Sequence, residues 1–413
     1  MDVGHVVTVG PMSRVARALA RTVAVSACVL LAACGSSAGA PAQRSSTPAP
    51  ASTTPTTRAP STPATSSSPT GSPAAQLFAR MTLAERVGQL LMVDSPSTQA
   101  GAATITAIAH DHVGSVILDG TTTAGRAAVR AVTAQLEDDN PSAAKLFVAT
   151  DQEGGEVQRL QGPGFSTVPS GLAQGQLAPT TLQQDATAWG TQLRAAGVNV
   201  DLAPVLDTVP ANSPGNPPIG DLDREYGHTP AAVTAHGVAV AVGLADAKVV
   251  ATVKHFPGLG RVAGNTDTTS GVTDSVTTRT DDYLAPFHAA VGAGVPFVMM
   301  STAIYSLIDP GTPAAFSKTI VTGMLRHDLG FSGVVISDDL GAAKQVSSYS
   351  VGDRAVRFVE AGGDIVLTVD ATQAATMTQA LIAKAQSDPA FRALVDAAVM
   401  RVLQAKQTQG LLS

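Results

Sequence analysis

Several stretches of this sequence place charged residues directly after short apolar runs. Leu146 to Thr150 leads into Asp151-Gln152-Glu153-Gly154-Gly155, with Arg159 a few residues on. Asp201 and Asp207 bracket Leu202-Ala203-Pro204-Val205, and Arg224 sits in the Pro- and Gly-rich loop Ile219 to Gly227. Val249 to Val253 runs on into Lys254-His255-Phe256-Pro257-Gly258, then a glycine-rich loop that reaches Asn265-Thr266-Asp267. Gly333 to Ser337 closes on Asp338-Asp339. A carboxylate directly after a buried strand is costly unless it is paired or used.

Asp, Arg, Lys and His around one mouth suit a hydroxyl-rich substrate, because they donate and accept hydrogen bonds in fixed directions. Glycoside hydrolysis in particular needs two carboxyl groups flanking one bond, one as acid and one as nucleophile or base. No metal-ligand spacing, P-loop, GxSxG or HExxH is present, so neither a metal nor a cofactor is expected. Adjacent strand residues point to opposite faces, so only one of Asp338 and Asp339 is expected in a central pocket. The other should cap the next helix or pair behind the site.

These residues need a scaffold that collects strand ends. Apolar runs of strand length recur at 89–93, 113–118, 146–150, 198–202, 249–253, 296–300, 333–337 and 364–369. Stretches with helical spacing lie between them, such as 127–136, 181–196, 231–244 and 281–291. The strands are nearly continuous in hydrophobicity, as strands covered on both faces should be. Alternation of strand and helix implies a parallel sheet with right-handed crossovers. About eight units in roughly 340 residues fit an α/β fold of the (β/α)8 TIM-like barrel type, as a single catalytic domain over 74–413. A doubly wound open sheet is the competing arrangement. The last stretch, 389–411, reads as closing helices with Phe391, Leu394, Val395 and Val399 on one stripe.

The chain has 413 residues, 44% of them hydrophobic, and a net charge of -6, so a core is affordable in length and nucleic acid is not expected as a partner. Both cysteines, Cys28 and Cys34, precede the expected barrel, which leaves its packing without disulfides. Arg14, Arg17 and Arg21 precede an apolar run, Val23 to Ala33, that ends Leu31-Ala32-Ala33-Cys34. This reads as a signal peptide over 1–34 whose ending resembles a bacterial lipobox, with Met12 as an alternative start. Lipid on Cys34 would hold the protein on a membrane without spanning it, in the cell envelope on the outer face of the cytoplasmic membrane. Residues 35–73 are almost all Ser, Thr, Pro and Ala, and are expected to be a disordered tether.

Three of the motifs together resemble family 3 glycoside hydrolases. They are the Lys254-His255-Phe256-Pro257-Gly258 stretch, the run from Asp151 through Gly155 to Val157 and Arg159, and Ser337-Asp338-Asp339-Leu340. Within that family they are closest to the β-N-acetylglucosaminidase branch. The resemblance implies a retaining hydrolase acting on terminal β-linked N-acetylglucosamine in peptidoglycan fragments or muropeptides, and usually a monomer. It implies Asp338 as nucleophile, with Asp151, Arg159, Arg224, Lys254 and His255 binding substrate.

The sequence departs from the branch in the glycine-rich loop. Relatives read Lys-His-Phe-Pro-Gly-His-Gly and then Asp-Ser-His, whose last His is the general acid/base. Here Leu259 replaces the first loop His, Asn265 takes the Asp position and Asp267 the catalytic His position. No histidine lies between His255 and His288. Asp267 is therefore expected as acid/base, with Asn265 orienting it, and Asp274 is the other acid that the loop offers. A β-glucosidase, a glycoside phosphorylase and a sugar-binding lipoprotein without turnover remain as alternatives.

Overall fold

A computed structural model describes residues 71–412 of the chain. The expected signal peptide, Cys34 and nearly all of the tether lie outside the described residues. Each of the eight apolar runs forms a parallel strand. In chain order they are Leu91–Pro96, Ser115–Asp119, Phe147–Thr150, Val200–Asp201, Val250–Phe256, Phe297–Met300, Val334–Ser337 and Val366–Thr368. Neighbours in sequence pair in order, and the eighth strand also pairs with the first. A parallel bridge between Ile336 and Ile365 joins the seventh strand to the eighth and completes the ring. The competing open sheet is thereby excluded in favour of the (β/α)8 barrel.

The strands are almost fully buried, since the barrel interior covers one face and a shell of helices the other. Local chemistry sets the ends of those helices. Thr82 and Glu85 form a reciprocal capping box at Leu83–Gly88. Ser350 caps Val351–Ala361, which stops at Gly362 with φ 109°, a value that favours glycine. From that helix the buried Arg354 donates to the carbonyls of Leu340 (2.8 Å) and Gly341 (2.6 Å), bracing the chain just past Asp338. Gly341 itself must be small, because a Cβ there would lie 2.1 Å from Thr368 Oγ1. Among the described residues no helix is long and apolar enough to cross a membrane.

The N-terminal ends of the strands form a closed floor. Phe147 and Phe297, from the third and sixth strands, meet edge to face at 5.3 Å. The closing helix, Pro389–Thr408, buries Phe391, Val395 and Val399 as its stripe requires, but Leu394 faces outward at 40% exposure. The apolar face of this helix is narrower than sequence spacing implied. It also buries Lys406 completely, whose Nζ donates to Gln89 Oε1 (2.7 Å) and the Gly114 carbonyl (2.8 Å). Burial pulls that ammonium down to about 7. Both ends of the described chain meet here. Ala74 N donates to Gln407 Oε1 (3.0 Å), and Leu412 bridges Ala144 just before the third strand.

Candidate active site

At the opposite, C-terminal end of the strands lies a cavity of about 370 Å³. Asp151, Arg159, Arg224, Lys254, His255, Asn265, Asp267 and Asp338 all line it, so every expected site residue within the described part converges on one space. A cleft of about 480 Å³ at the other end of the barrel is bordered by exposed side chains such as Arg130, Lys145 and Arg194. Its polar floor is already satisfied: Asn199 bonds the backbone of Val148 and Leu146, and Thr133 the carbonyl of Ala196. The C-terminal cavity is where unsatisfied chemistry gathers.

The fifth strand carries Lys254 and His255 into the cavity wall, both almost fully buried. Lys254 Nζ sits between Asp151 Oδ1 (2.6 Å) and Glu153 Oε1 (2.7 Å). Burial works against the ammonium, but the two carboxylates outweigh it and raise the group above its ordinary value. An ammonium has three donors, and two are used here. Arg224 grips Glu153 with a fork, Nε to Oε2 and Nη2 to Oε1 at 2.7 Å each, while Nη1 donates to the Pro218 carbonyl (2.6 Å). Burial would lift the Glu153 carboxyl, yet the Arg224 and Lys254 charges hold it well below the usual carboxylate range. Glu153 is the residue that sequence reasoning missed. It stands in the Asp151-Gln152-Glu153 run, but nothing local marks it as the shared partner of two distant cations. Glu153→Ala leaves both cations buried without that partner, and is expected to lower unfolding stability by about 3–5 kcal/mol in a urea titration.

Behind this layer Asp201 accepts from Gln152 N (3.1 Å), and burial pushes its carboxyl up to about 7. Asp207 is a second residue whose part was not foreseen. Its Oδ2 meets His255 Nδ1 at 2.7 Å, and its Oδ1 accepts from the backbone of His255 (3.2 Å) and Leu259 (2.7 Å). One carboxylate thus sets the ring orientation of His255 and fixes where the glycine-rich loop begins. With Nδ1 donating to Asp207, Nε2 is the nitrogen left for a ligand.

The loop that follows is held at many points. Asn216 Nδ2 donates to the carbonyls of Leu259 (2.8 Å) and Val262 (2.9 Å), and Tyr305 OH to that of Gly258 (2.8 Å). Lys344 N and Gln345 N donate to the carbonyls of Asp267 and Thr266, both at 3.0 Å. The segment bearing Asp267 is therefore fastened to the loop that follows Asp338. Asn265 Oδ1 accepts from Asp267 N (2.8 Å), so it bends the backbone in place of bonding the carboxyl, as had been expected of it. Asp274 accepts from Val276 N, Thr277 N and Thr277 Oγ1, which makes it a buried turn cap away from the cavity wall.

Asp338 Oδ1 accepts from Asp339 N (2.9 Å). Asp339 also borders the cavity, but its oxygens are occupied by the N–H groups of Gly341, Ala342, Ala343 and Val369. It caps the turn and the neighbouring strand end, which leaves Asp338 as the carboxylate presented to a ligand. Partial desolvation and the Asp338 charge push the Asp267 carboxyl up to about 6. Its outer surface is open to water, which limits the rise. Two carboxyls of one cavity, one raised by the charge of the other, form the division of labour that acid and nucleophile need. Among the described residues no group of His, Cys, Asp and Glu is placed to hold a metal ion.

Comparison with known proteins bears on the same region. The family described as "Glycosyl hydrolase family 3 N terminal domain" matches residues 82–405. A protein named Beta-hexosaminidase from Stenotrophomonas maltophilia is 34% identical over 287 residues, 67% of this chain and 82% of its own. Among solved structures, the beta-N-acetylhexosaminidase of Beutenbergia cavernae is 50% identical with a TM-score of 0.78, covering 80% of this chain and 99% of that one. LpqI of M. tuberculosis is 28% identical with a TM-score of 0.71, covering 81% of this chain and 96% of that one.

Proposed function

This chain belongs to glycoside hydrolase family 3, and from that premise we propose that it is a retaining β-N-acetylglucosaminidase acting on terminal sugars of cell-wall fragments. The observation that carries the reading is the pair Asp338 and Asp267 on one cavity, with the Asp267 carboxyl raised and the Asp338 carboxylate presented on a braced turn. Asp338 attacks C1 of the sugar while protonated Asp267 gives its proton to the departing glycosidic oxygen. The resulting glycosyl ester is then hydrolysed. Asp267, now a carboxylate, takes a proton from water as that water displaces Asp338 from C1, and both residues return to their starting states.

Asp151, Arg159, Arg224, Lys254 and His255 hold the sugar in this scheme. Lys254 does so with its remaining donor and His255 with Nε2. Lipid attachment at Cys34, placement on the outer face of the cytoplasmic membrane and action as a monomer complete the proposal. The test is cleavage by the purified protein of nitrophenyl β-N-acetylglucosaminide against nitrophenyl β-glucoside, with and without phosphate. Preference for the acetamido sugar, retained β configuration in the first product and indifference to phosphate support it. Glucoside preference, or release of a sugar phosphate, would replace it with one of the other reactions. Binding of N-acetylglucosamine with no turnover of either substrate would make the protein a sugar-binding lipoprotein.

A further inference from the structure

The exposed tip that carries Asp267 has a neck, and one buried side chain closes it. Residues 267–271 are all exposed, whereas Thr266 before them and Val272 after them are buried. Gln345, itself buried, holds both. Its backbone N donates to the Thr266 carbonyl (3.0 Å). Its side chain engages Val272 twice: Oε1 accepts from Val272 N (2.9 Å), and Nε2 donates to the Val272 carbonyl (3.1 Å). That carbonyl also accepts from Ile304 N (3.0 Å), so the loop after the sixth strand is tied in at the same point. The Gln345 amide does for Val272 what a neighbouring strand would do, and satisfies backbone groups that burial cuts off from water.

Gln345 is anchored in turn to the nucleophile. It lies in the short 3₁₀ turn Lys344–Val346, directly after Ala342 and Ala343, whose N–H groups donate to Asp339 Oδ2 (2.8 Å each). Asp339 N donates to Asp338 Oδ1 (2.9 Å). The turn that presents Asp338 therefore runs straight into the residue that grips both legs of the Asp267 loop. The reaction needs its two carboxyls at a set separation, and a misplacement of about 1 Å can cost ~10²-fold. We propose that Gln345 is a positioning residue: by closing the neck of the acid loop it holds Asp267 where the departing oxygen can take its proton. The inference deepens the proposed function and rests on it. Gln345 does not border the cavity, so it acts only through Asp267.

The test compares wild type, Gln345→Met, Gln345→Asn and Asp267→Ala on phenyl and dinitrophenyl β-N-acetylglucosaminides. Gln345→Met keeps the bulk of the side chain and removes both amide bonds. It should lose roughly 10- to 100-fold in kcat/KM on the phenyl sugar, whose oxygen leaves with a proton, and far less on the dinitrophenyl sugar. Gln345→Asn keeps the amide but falls one methylene short, so it should show the same selectivity at smaller size. It carries the comparison if the Met variant does not fold, and failure of both to fold overturns the assignment. Desolvation and the charges of Asp338 and Asp339 raise the Asp267 carboxyl, while His255 and Arg224 pull it down. An opened neck gives Asp267 more water and less of Asp338, so the alkaline limb on the phenyl sugar should move to lower pH. Added to Asp267→Ala, Gln345→Met should cost little more on that sugar, because no acid is left to misplace. Equal losses on the two sugars, an unmoved limb, or a loss that adds in full to that of Asp267→Ala overturns the assignment. The Gln345 role falls together with the proposed function if wild type cleaves neither sugar, or if Asp267→Ala ignores the leaving group. A selective Asp267→Ala beside an unselective Gln345→Met overturns the Gln345 role alone.

Discussion

Asp338→Ala is expected to reduce turnover by roughly 10⁴-fold or more on every substrate, activated or not. The size of the effect follows from the mechanism, in which both chemical steps pass through a bond to this residue. Leaving-group quality cannot compensate, because the missing partner is the one that attacks carbon. Asp339 cannot substitute either, since four backbone N–H groups hold its oxygens on the turn. The measurement is steady-state hydrolysis of nitrophenyl and dinitrophenyl β-N-acetylglucosaminides, with calorimetry to show that sugar binding survives. Retention of more than a few per cent of activity would remove Asp338 from the role of nucleophile.

Asp267→Ala should behave differently on the two leaving groups. General acid catalysis contributes typically about 10²- to 10⁴-fold, and only when the departing oxygen needs a proton. Dinitrophenolate leaves without one, so glycosylation by the variant should stay near wild-type rate while release of the sugar slows. Azide should then restore turnover and give a β-glycosyl azide, because it attacks C1 without a base. The pH profile supplies a second reading. The acid must enter the cycle protonated, and its carboxyl lies at about 6. Wild-type kcat/KM on poorly activated substrates should therefore hold below that value and fall about tenfold per pH unit above it. That limb should be missing in Asp267→Ala. An unchanged limb, or wild-type rates on poor leaving groups, would assign the proton to another residue.

Much of this site was legible because buried strands announce themselves. Short runs rich in Val, Ile, Leu and Met mark most of the strands, many of them next to glycine or proline, and the residue after each run is placed by the barrel. Asp151, Lys254, His255 and Asp338 could be found in that way. What stayed hidden was pairing across the ring. Glu153 meets Lys254 and Arg224 from distant parts of the chain, and Asp207 meets His255 from the end of another strand. Sequence spacing carries no information about such partners. Arg224 illustrates the same limit, since a loop arginine reads as a surface residue until its carboxylate is known. Asn265 shows a subtler one. Its amide was expected on the Asp267 carboxyl, but an Asn two residues before a turn reaches the backbone N–H more readily.

The chain enters and leaves the barrel from beneath. Ala74 and Leu412 both join the floor built around Lys406, on the side away from the cavity. A purification tag or an immobilising support joined directly to a chain trimmed to the described residues would start from that underside. Attachment at that side leaves the open mouth of the barrel facing away from the support, a practical asset for work on insoluble glycan.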